Sequence, residues 1–488
     1  MKKKYYGAAI ITAAALMAMG ASFAAMAADA GWSSESDGWV YLDSSGSRVT
    51  DSWKKSGDNW YYLDSDGDMA KDTWVDDTYY VNEDGVMLIN QWLYSNEDDS
   101  PSGEEGWYYL GSNGKLVTES WEQINNEYYY FDDDGKMSTG WHFDDDTAYY
   151  LGDENDGARK TGWLCLEYDS DDEPEEGDVS QGTTAGDDAK WFYFQSNGKM
   201  VKADSDYTSK TINGSKYYFD ANGVMLDGWV AVASVSSADS TGISKFKYFG
   251  DENDGTMAKG WRYLSDHPSY SDDSDEISTG TNAPEDGDGY WYYFDSNGVP
   301  EYLPDDSSSL SAATSKINSN SYFFDEYGCM QSGLIGFTFG DTTYSAYFGS
   351  SDDDGKMKTG KQTSVYDADD EKGTYYFNSS GSYKGGGYTG EKDGYLYYEG
   401  KLVAADEDSD YQVFCINISG TDHFYLVNES GKIQTTSKKY KVDSDYKYQY
   451  SSGTIYITDS DGENPVEVTA ADCSALPDIS FEDEYTFE

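Results

Sequence analysis

The sequence predicts an all-β protein: an elongated β-solenoid of stacked β-hairpin repeats, grouped in three-hairpin super-repeats. Three observations lead there. An aromatic unit recurs from Trp39 nearly to the C-terminus, typified by Tyr128-Tyr129-Tyr130-Phe131, then Asp132-Asp133-Asp134-Gly135, then Met137 and Gly140-Trp141. Tyr contributes 47 and Gly 51 of the 488 residues, against only 8 Pro, a balance that suits thin aromatic layers joined by turns. Beyond the N-terminal leader no segment carries a helical period. A fixed unit repeated many times means supersecondary modules that stack because none buries a core alone.

Each part of the unit has a local cause. Asp-Gly is a strong hairpin signal, since Gly accepts a positive φ and Asp tolerates it. On this basis hairpins are expected at Trp39 to Trp53, Trp60 to Trp74 and Tyr79 to Trp92, turning at Asp43-Ser44-Ser45-Gly46, Asp64-Ser65-Asp66-Gly67 and Asn82-Glu83-Asp84-Gly85. Tyr and Phe favour a pleated backbone. Alternation sends Tyr128 and Tyr130 to one face and Tyr129 and Phe131 to the other, so both faces are aromatic. An isolated two-stranded hairpin is marginal in water, which makes stacking obligatory.

Four segments are expected. Residues 1–27 read as a secretory signal peptide, with Lys2, Lys3 and Lys4, an apolar run from Ala8 to Met19, and a small-x-small site at Ala25-Met26-Ala27. Residues 28–106 hold N-terminal hairpin repeats. Residues 107–402 form an array with acidic inserts, including Asp169 to Asp188 and Ser265 to Asp288. Residues 403–488 hold degenerate repeats and a cap, as terminal repeats require. Within the array hairpins group in threes. The second of each group follows Ile124-Asn125, Ile212-Asn213 or Ile317-Asn318, and the third carries a longer turn. Gly152, Gly250 and Gly349, which open those turns, fall 98 and 99 residues apart.

Bulk properties exclude several function classes. A formal charge of −59 argues against nucleic acid and against anionic lipid as partners. No stretch after the leader is long and apolar enough to span a membrane, so no membrane insertion is expected after signal cleavage. The four cysteines show no CxxC pair; isolated thiols are expected, with a Cys415–Cys473 bridge as the alternative. The turn Asp64-x-Asp66-Gly67-Asp68 and its counterpart at Asp459 lack the terminal bidentate Glu of a calcium loop, so they read as simple turns and no metal or cofactor is expected. His423 lies eight residues from Cys415, but Cys415 sits in a strand-like apolar run and a nucleophile–base pair also needs an orienting partner and a pocket, so no enzyme is expected.

The run from Ser52-Trp53 to Trp60-Tyr61-Tyr62-Leu63-Asp64-Ser65-Asp66-Gly67-Asp68-Met69, repeated from Tyr128 to Gly140-Trp141, resembles the choline-binding or cell-wall-binding repeat of Gram-positive surface proteins. It is also similar to the related glucan-binding repeats. The resemblance implies a β-solenoid on the cell surface that binds a cell-wall polymer, either choline-bearing teichoic acid or a glucan-type polysaccharide. It places ligands between consecutive repeats, gripped by a Trp before the hairpin, an aromatic on its strand and a Tyr from the next hairpin. Mapped here, the expected sites are Trp32, Trp39 and Tyr61; Trp53, Trp60 and Tyr79; and Trp121, Tyr128 and Tyr149. The chemistry holds independently, because a quaternary ammonium cannot donate an ordinary hydrogen bond and must be held by ring faces. The same rings suit an α-glucan-binding adhesin. A hydrolase concealed in the C-terminal region is the third alternative.

Overall fold

The pairing of Ser52–Ser56 with Asn59–Leu63 shows how a repeat is built. The antiparallel register sets Trp53 opposite Tyr62 and Lys55 opposite Trp60 around a two-residue connection at Gly57 and Asp58. Residues directly opposite share a face, so Trp53, Tyr62 and Trp60 line one side. The same ladder recurs in Gly31–Glu35 with Gly38–Leu42, Gln91–Ser95 with Gly106–Leu110, and Ser120–Ile124 with Glu127–Phe131. The structure is a computed structural model; it describes residues 30–36, 38–169, 174–179, 185–186, 189–268, 284, 289–442 and 445–487. The expected signal peptide and much of the two long acidic inserts lie outside the described residues. Among the described residues all regular structure is β-strand apart from three short 3-10 turns, and no helix is long and apolar enough to cross a membrane.

The phase of pairing differs from the sequence expectation. The aromatic strand pairs with the Gly-Trp strand before it, not with the segment after the Asp-Gly turn. The hairpin turn in the second member of each group is the Ile-Asn element itself. Asn125 and Asn126 have φ of 53° and 73°, and Asn318 and Ser319 have 48° and 72°, as a two-residue turn of the primed kind needs. The preceding Ile124, Ile212 and Ile317 are buried beneath these turns.

The acidic Gly turn instead reverses the chain into a short arm that ties one repeat to another. Asp64 Oδ1 accepts the N–H groups of Asp66 and Asp68 at 3.0 and 2.9 Å, so the carboxylate is engaged within its own turn. Beyond the turn, Ala70 N–H donates to Tyr62 O of the same hairpin, and Met69 N–H donates to Trp39 O of the preceding one, both at 2.9 Å. Met87 to Trp60, Met137 to Trp107 and Arg159 to Tyr128 repeat this link at 2.8–2.9 Å. Met225 to Trp191 and Met330 to Trp291 do so further along, at 2.9 and 2.8 Å.

Each arm also drives a long side chain under the next turn. A Cβ at Gly157 would sit 2.4 Å from Met137 Cε, and Gly157 has a φ of 56°. Glycine is thus needed here for conformation and for room. Gly157→Ala is expected to cost roughly 1–2 kcal/mol from backbone strain alone, read as a lower denaturant midpoint.

The chain forms two compact units. One comprises the described residues of Met1–Gly162, Ser170–Ser180 and Phe194–Lys199, the other those of Trp163–Asp169, Gln181–Tyr193 and Met200–Glu488. The second unit departs from simple hairpins after residue 360. Gly360–Tyr366, Lys372–Phe377, Gly390–Lys392, Tyr395–Tyr398 and Lys401–Leu402 merge into one five-stranded sheet. Tyr411–Ile418 pairs with Thr421–Asn428, and four strands between Lys439 and Glu467 make a further sheet. The final strand, Asp483–Phe487, returns to run parallel to Leu334–Phe339. This strand places Tyr485 against Phe323 with ring centroids 4.7 Å apart and covers the turn at Asp325. Asp325 is 5% exposed; its carboxylate accepts the N–H groups of Tyr327 and Cys329 at 2.9 and 2.8 Å and Gln331 Nε2–H at 2.8 Å. Burial nevertheless pushes its pKa up to about 8.

Candidate functional site

Several seams between hairpins are lined by rings. At the three seams expected from the sequence, the Trp that opens a hairpin meets a Tyr on its own partner strand and a Tyr from the following hairpin. Trp32 lies 5.5 Å from Tyr41 and 5.3 Å from Tyr61. Trp53 lies 5.2 Å from both Tyr62 and Tyr79. Trp121 lies 5.4 Å from Tyr130 and 5.0 Å from Tyr149. Thus Trp32 with Tyr61, Trp53 with Tyr79, and Trp121 with Tyr149 stand in direct ring contact. Trp39, Trp60 and Tyr128 lie two residues before Tyr41, Tyr62 and Tyr130 and so share their hairpin faces, farther along the strand from Trp32, Trp53 and Trp121. Trp60 is 40% exposed, with the Lys55 ammonium 6.0 Å from its centroid. Trp39 is half-buried.

Three further constellations lie outside the sequence-based expectation. Trp92 stands 6.4 Å from Trp107 and 4.9 Å from Tyr129. Trp163 stands 6.4 Å from Trp191 and 4.8 Å from Tyr217. Trp261 stands 6.3 Å from Trp291 and 4.8 Å from Tyr322. The interplanar angles of the three indole pairs are 88°, 86° and 83°, so each is one edge-to-face corner. Met137, Met225 and Met330 belong to the buried clusters beneath. Acidic inserts separate the paired Trp residues by 15, 28 and 30 positions, and this hides them from a search at the seven-residue spacing. A readable signal remains in the order Gly-Trp or Gln-Trp, acidic insert, Trp-aromatic-Tyr.

The longer turns of the third hairpins serve these corners. Trp191 Nε1–H donates to Asn253 Oδ1 at 3.1 Å, and Trp291 Nε1–H donates to Asp353 Oδ1 at 3.0 Å. Both acceptors lie in the turns that begin at Gly250 and Gly349. Each bond fixes the indole plane and leaves the ring only half-buried. Burial pushes the phenols of Tyr109, Tyr129 and Tyr322 up, so these rings stay neutral.

Other seams are closed or altered. Trp141 is 2% exposed, its backbone N–H donates to Asp178 O at 2.9 Å, and Ala148 stands at the position that Trp60 and Tyr128 fill in other hairpins. Trp74 meets Tyr80 and Tyr108 at 5.4 and 5.7 Å, and Thr78 stands at the position that Trp60 fills in the preceding hairpin. At the Trp121 seam the Arg159 guanidinium lies 4.3 Å from the Tyr128 centroid and 5.7 Å from that of Trp121.

These corners can hold a cation over ring faces or stack against an apolar sugar face. Elsewhere, Cys415 stands opposite Phe424, and His423 opposite Ile416. Successive strand residues point to opposite faces, so the structure does not bring Cys415 and His423 together. Cys415 and Cys473 are both free thiols in mutual hydrogen-bond contact.

Family models match several of these segments. A model described as a choline-binding repeat matches residues 49–87, and a second of the same description matches 117–163. A putative cell wall binding repeat matches residues 103–116, 187–200, 210–225 and 285–299, segments that include Trp107, Trp191, Tyr217 and Trp291. Glucosyltransferase-S of Streptococcus mutans is 25% identical over 351 residues, which is 70% of this chain and 19% of that protein. This chain therefore spans about a fifth of that relative's length. Among solved structures, the modular autolysin LytC from Streptococcus pneumoniae, in complex with a synthetic peptidoglycan ligand, is 20% identical with a TM-score of 0.36, covering 63% of this chain and 55% of that one. CbpJ from Streptococcus pneumoniae is 21% identical with a TM-score of 0.34, covering 70% of this chain and 99% of that one. The chain carries choline-binding and cell-wall-binding repeats.

Proposed function

We propose that this is a secreted, non-catalytic cell-surface protein that binds choline-bearing teichoic acid or a similar wall polymer through aromatic cages between hairpins stacked as a β-solenoid. The observation that carries this reading is the recurrence of one edge-to-face indole corner, closed by a Tyr of the next hairpin, at Trp92, Trp163 and Trp261. The sites at Trp32, Trp39 and Tyr61 and at Trp53, Trp60 and Tyr79 share the Trp–Tyr contact across the seam, without the indole corner. A charge of −59 favours a cationic headgroup and disfavours an anionic ligand at the same seam. Many weak cages along one chain would engage a repetitive polymer by avidity, so no single cage needs high affinity.

A second reading is an α-glucan-binding adhesin using the same rings. It is favoured by the stretch shared with Glucosyltransferase-S, whose name points to glucosyl chemistry. Passing the mature protein over choline-bearing resin and over dextran separates the two. Retention on the choline resin with elution by free choline is expected. Retention on dextran alone would favour the glucan reading, and retention on neither would oppose both.

A further inference from the structure

We propose that the cage at Trp121, Tyr128 and Tyr149 is occupied by the chain's own cation, the guanidinium of Arg159, and is closed to external ligand for that reason. This rests on the reading of the seams as cation cages. Arg159 stands at the arm position that Met69, Met87 and Met137 fill in other repeats. Its N–H donates to Tyr128 O at 2.8 Å, the link those methionines make to Trp39, Trp60 and Trp107. The arm is therefore in register, and only the side chain differs. Its aliphatic part passes beneath Gly198, where a Cβ would lie 2.3 Å from Arg159 Cδ. The guanidinium then reaches 4.3 Å from the Tyr128 centroid and 5.7 Å from that of Trp121. Its Nε is buried with no hydrogen-bond partner among the described residues, so ring faces supply its main stabilisation. Arg48, at the equivalent place one arm before Met69, behaves differently: it pairs with Glu35 and Asp68.

The test is the number of tetramethylammonium ions bound per chain, by calorimetric titration of the wild type, Arg159→Met and Arg159→Leu. Met and Leu both occur naturally at this arm position, in Met137 and Leu116, so the fold should tolerate either; near-UV circular dichroism checks it. Each variant is expected to bind one ion more than the wild type, whereas Arg48→Met leaves the number unchanged. Equal numbers in the wild type and both folded Arg159 variants would overturn the plug while leaving the cage reading intact. Binding by none of the chains would overturn both.

Discussion

Replacing Trp107, Trp191 and Trp291 together by Ala is expected to abolish ligand uptake at three seams and leave the fold intact. The two indoles of each corner do different jobs. Trp92 contacts Trp107, Tyr109, Tyr129 and Phe131, and so belongs to the packing between repeats. Half-buried, it would cost roughly 1–3 kcal/mol to remove, less than a fully buried aromatic. Trp107 meets Trp92 and Tyr94 at the rim, and Trp291 meets Trp261 and Tyr263. Truncating these outer rings removes a cage wall at a smaller packing cost, since each makes fewer ring contacts than its inner partner. The number of quaternary ammonium ions bound per chain should fall by three, with the far-UV spectrum unchanged and the denaturant midpoint lowered but the unfolding transition still cooperative. Unfolding of the triple variant would assign the outer indoles to the core instead.

Asp325→Asn is expected to remove a large pH dependence from the second unit. The folded-state pKa of Asp325 is raised from 3.8 to about 8, because the returning C-terminal strand and its own turn bury the carboxyl. Between these values the folded chain keeps a proton that the unfolded chain has released. Stability is therefore fully present below about pH 4 and declines as pH rises toward 8, by a total on the order of 5 kcal/mol. Burial also raises the pKa values of Glu482 and Asp483, which act in the same direction. General repulsion among 92 acidic residues has the same sign, so the variant is what isolates Asp325. Hydrogen-exchange protection at the amides of Tyr327 and Cys329 is the local readout. In the wild type it should fall at least about a hundredfold from pH 5 to pH 8. In Asp325→Asn most of that fall should disappear. Equal slopes in the two proteins would place the pH sensitivity elsewhere.

Much of this anatomy is written locally. Alternating aromatics encode strands, and Asp-x-x-Gly encodes a reversal whose Asp binds the following N–H groups. The repeat of Ile-Asn marks the second hairpin of each group before its role as a turn is known. Pairing phase was harder to read, because two turn signals flank every aromatic strand and only one closes a full ladder. The Ile-Asn turn does so because its buried Ile pairs across it with the start of the aromatic strand. The acidic turn closes only a single bridge, such as Leu63 with Met69, since the arm must also reach the preceding hairpin. The corners at Trp92, Trp163 and Trp261 escaped a fixed-spacing search because their inserts lengthen the loop and leave the register intact. The parallel pairing of Asp483–Phe487 with Leu334–Phe339 carries no local signal, being a contact across nearly 150 residues. Arg159 shows the same limit: its charge is plain in sequence, but its seat over Tyr128 depends on the arm.

The central claim is that the seams recognise positive charge through ring faces. Calorimetric titration of the protein with choline and with 3,3-dimethylbutanol, which has the same shape without the charge, tests it most directly. The account predicts saturable choline binding and at least about tenfold weaker binding of the neutral analogue. Equal affinity for the two, or binding of neither, would contradict it.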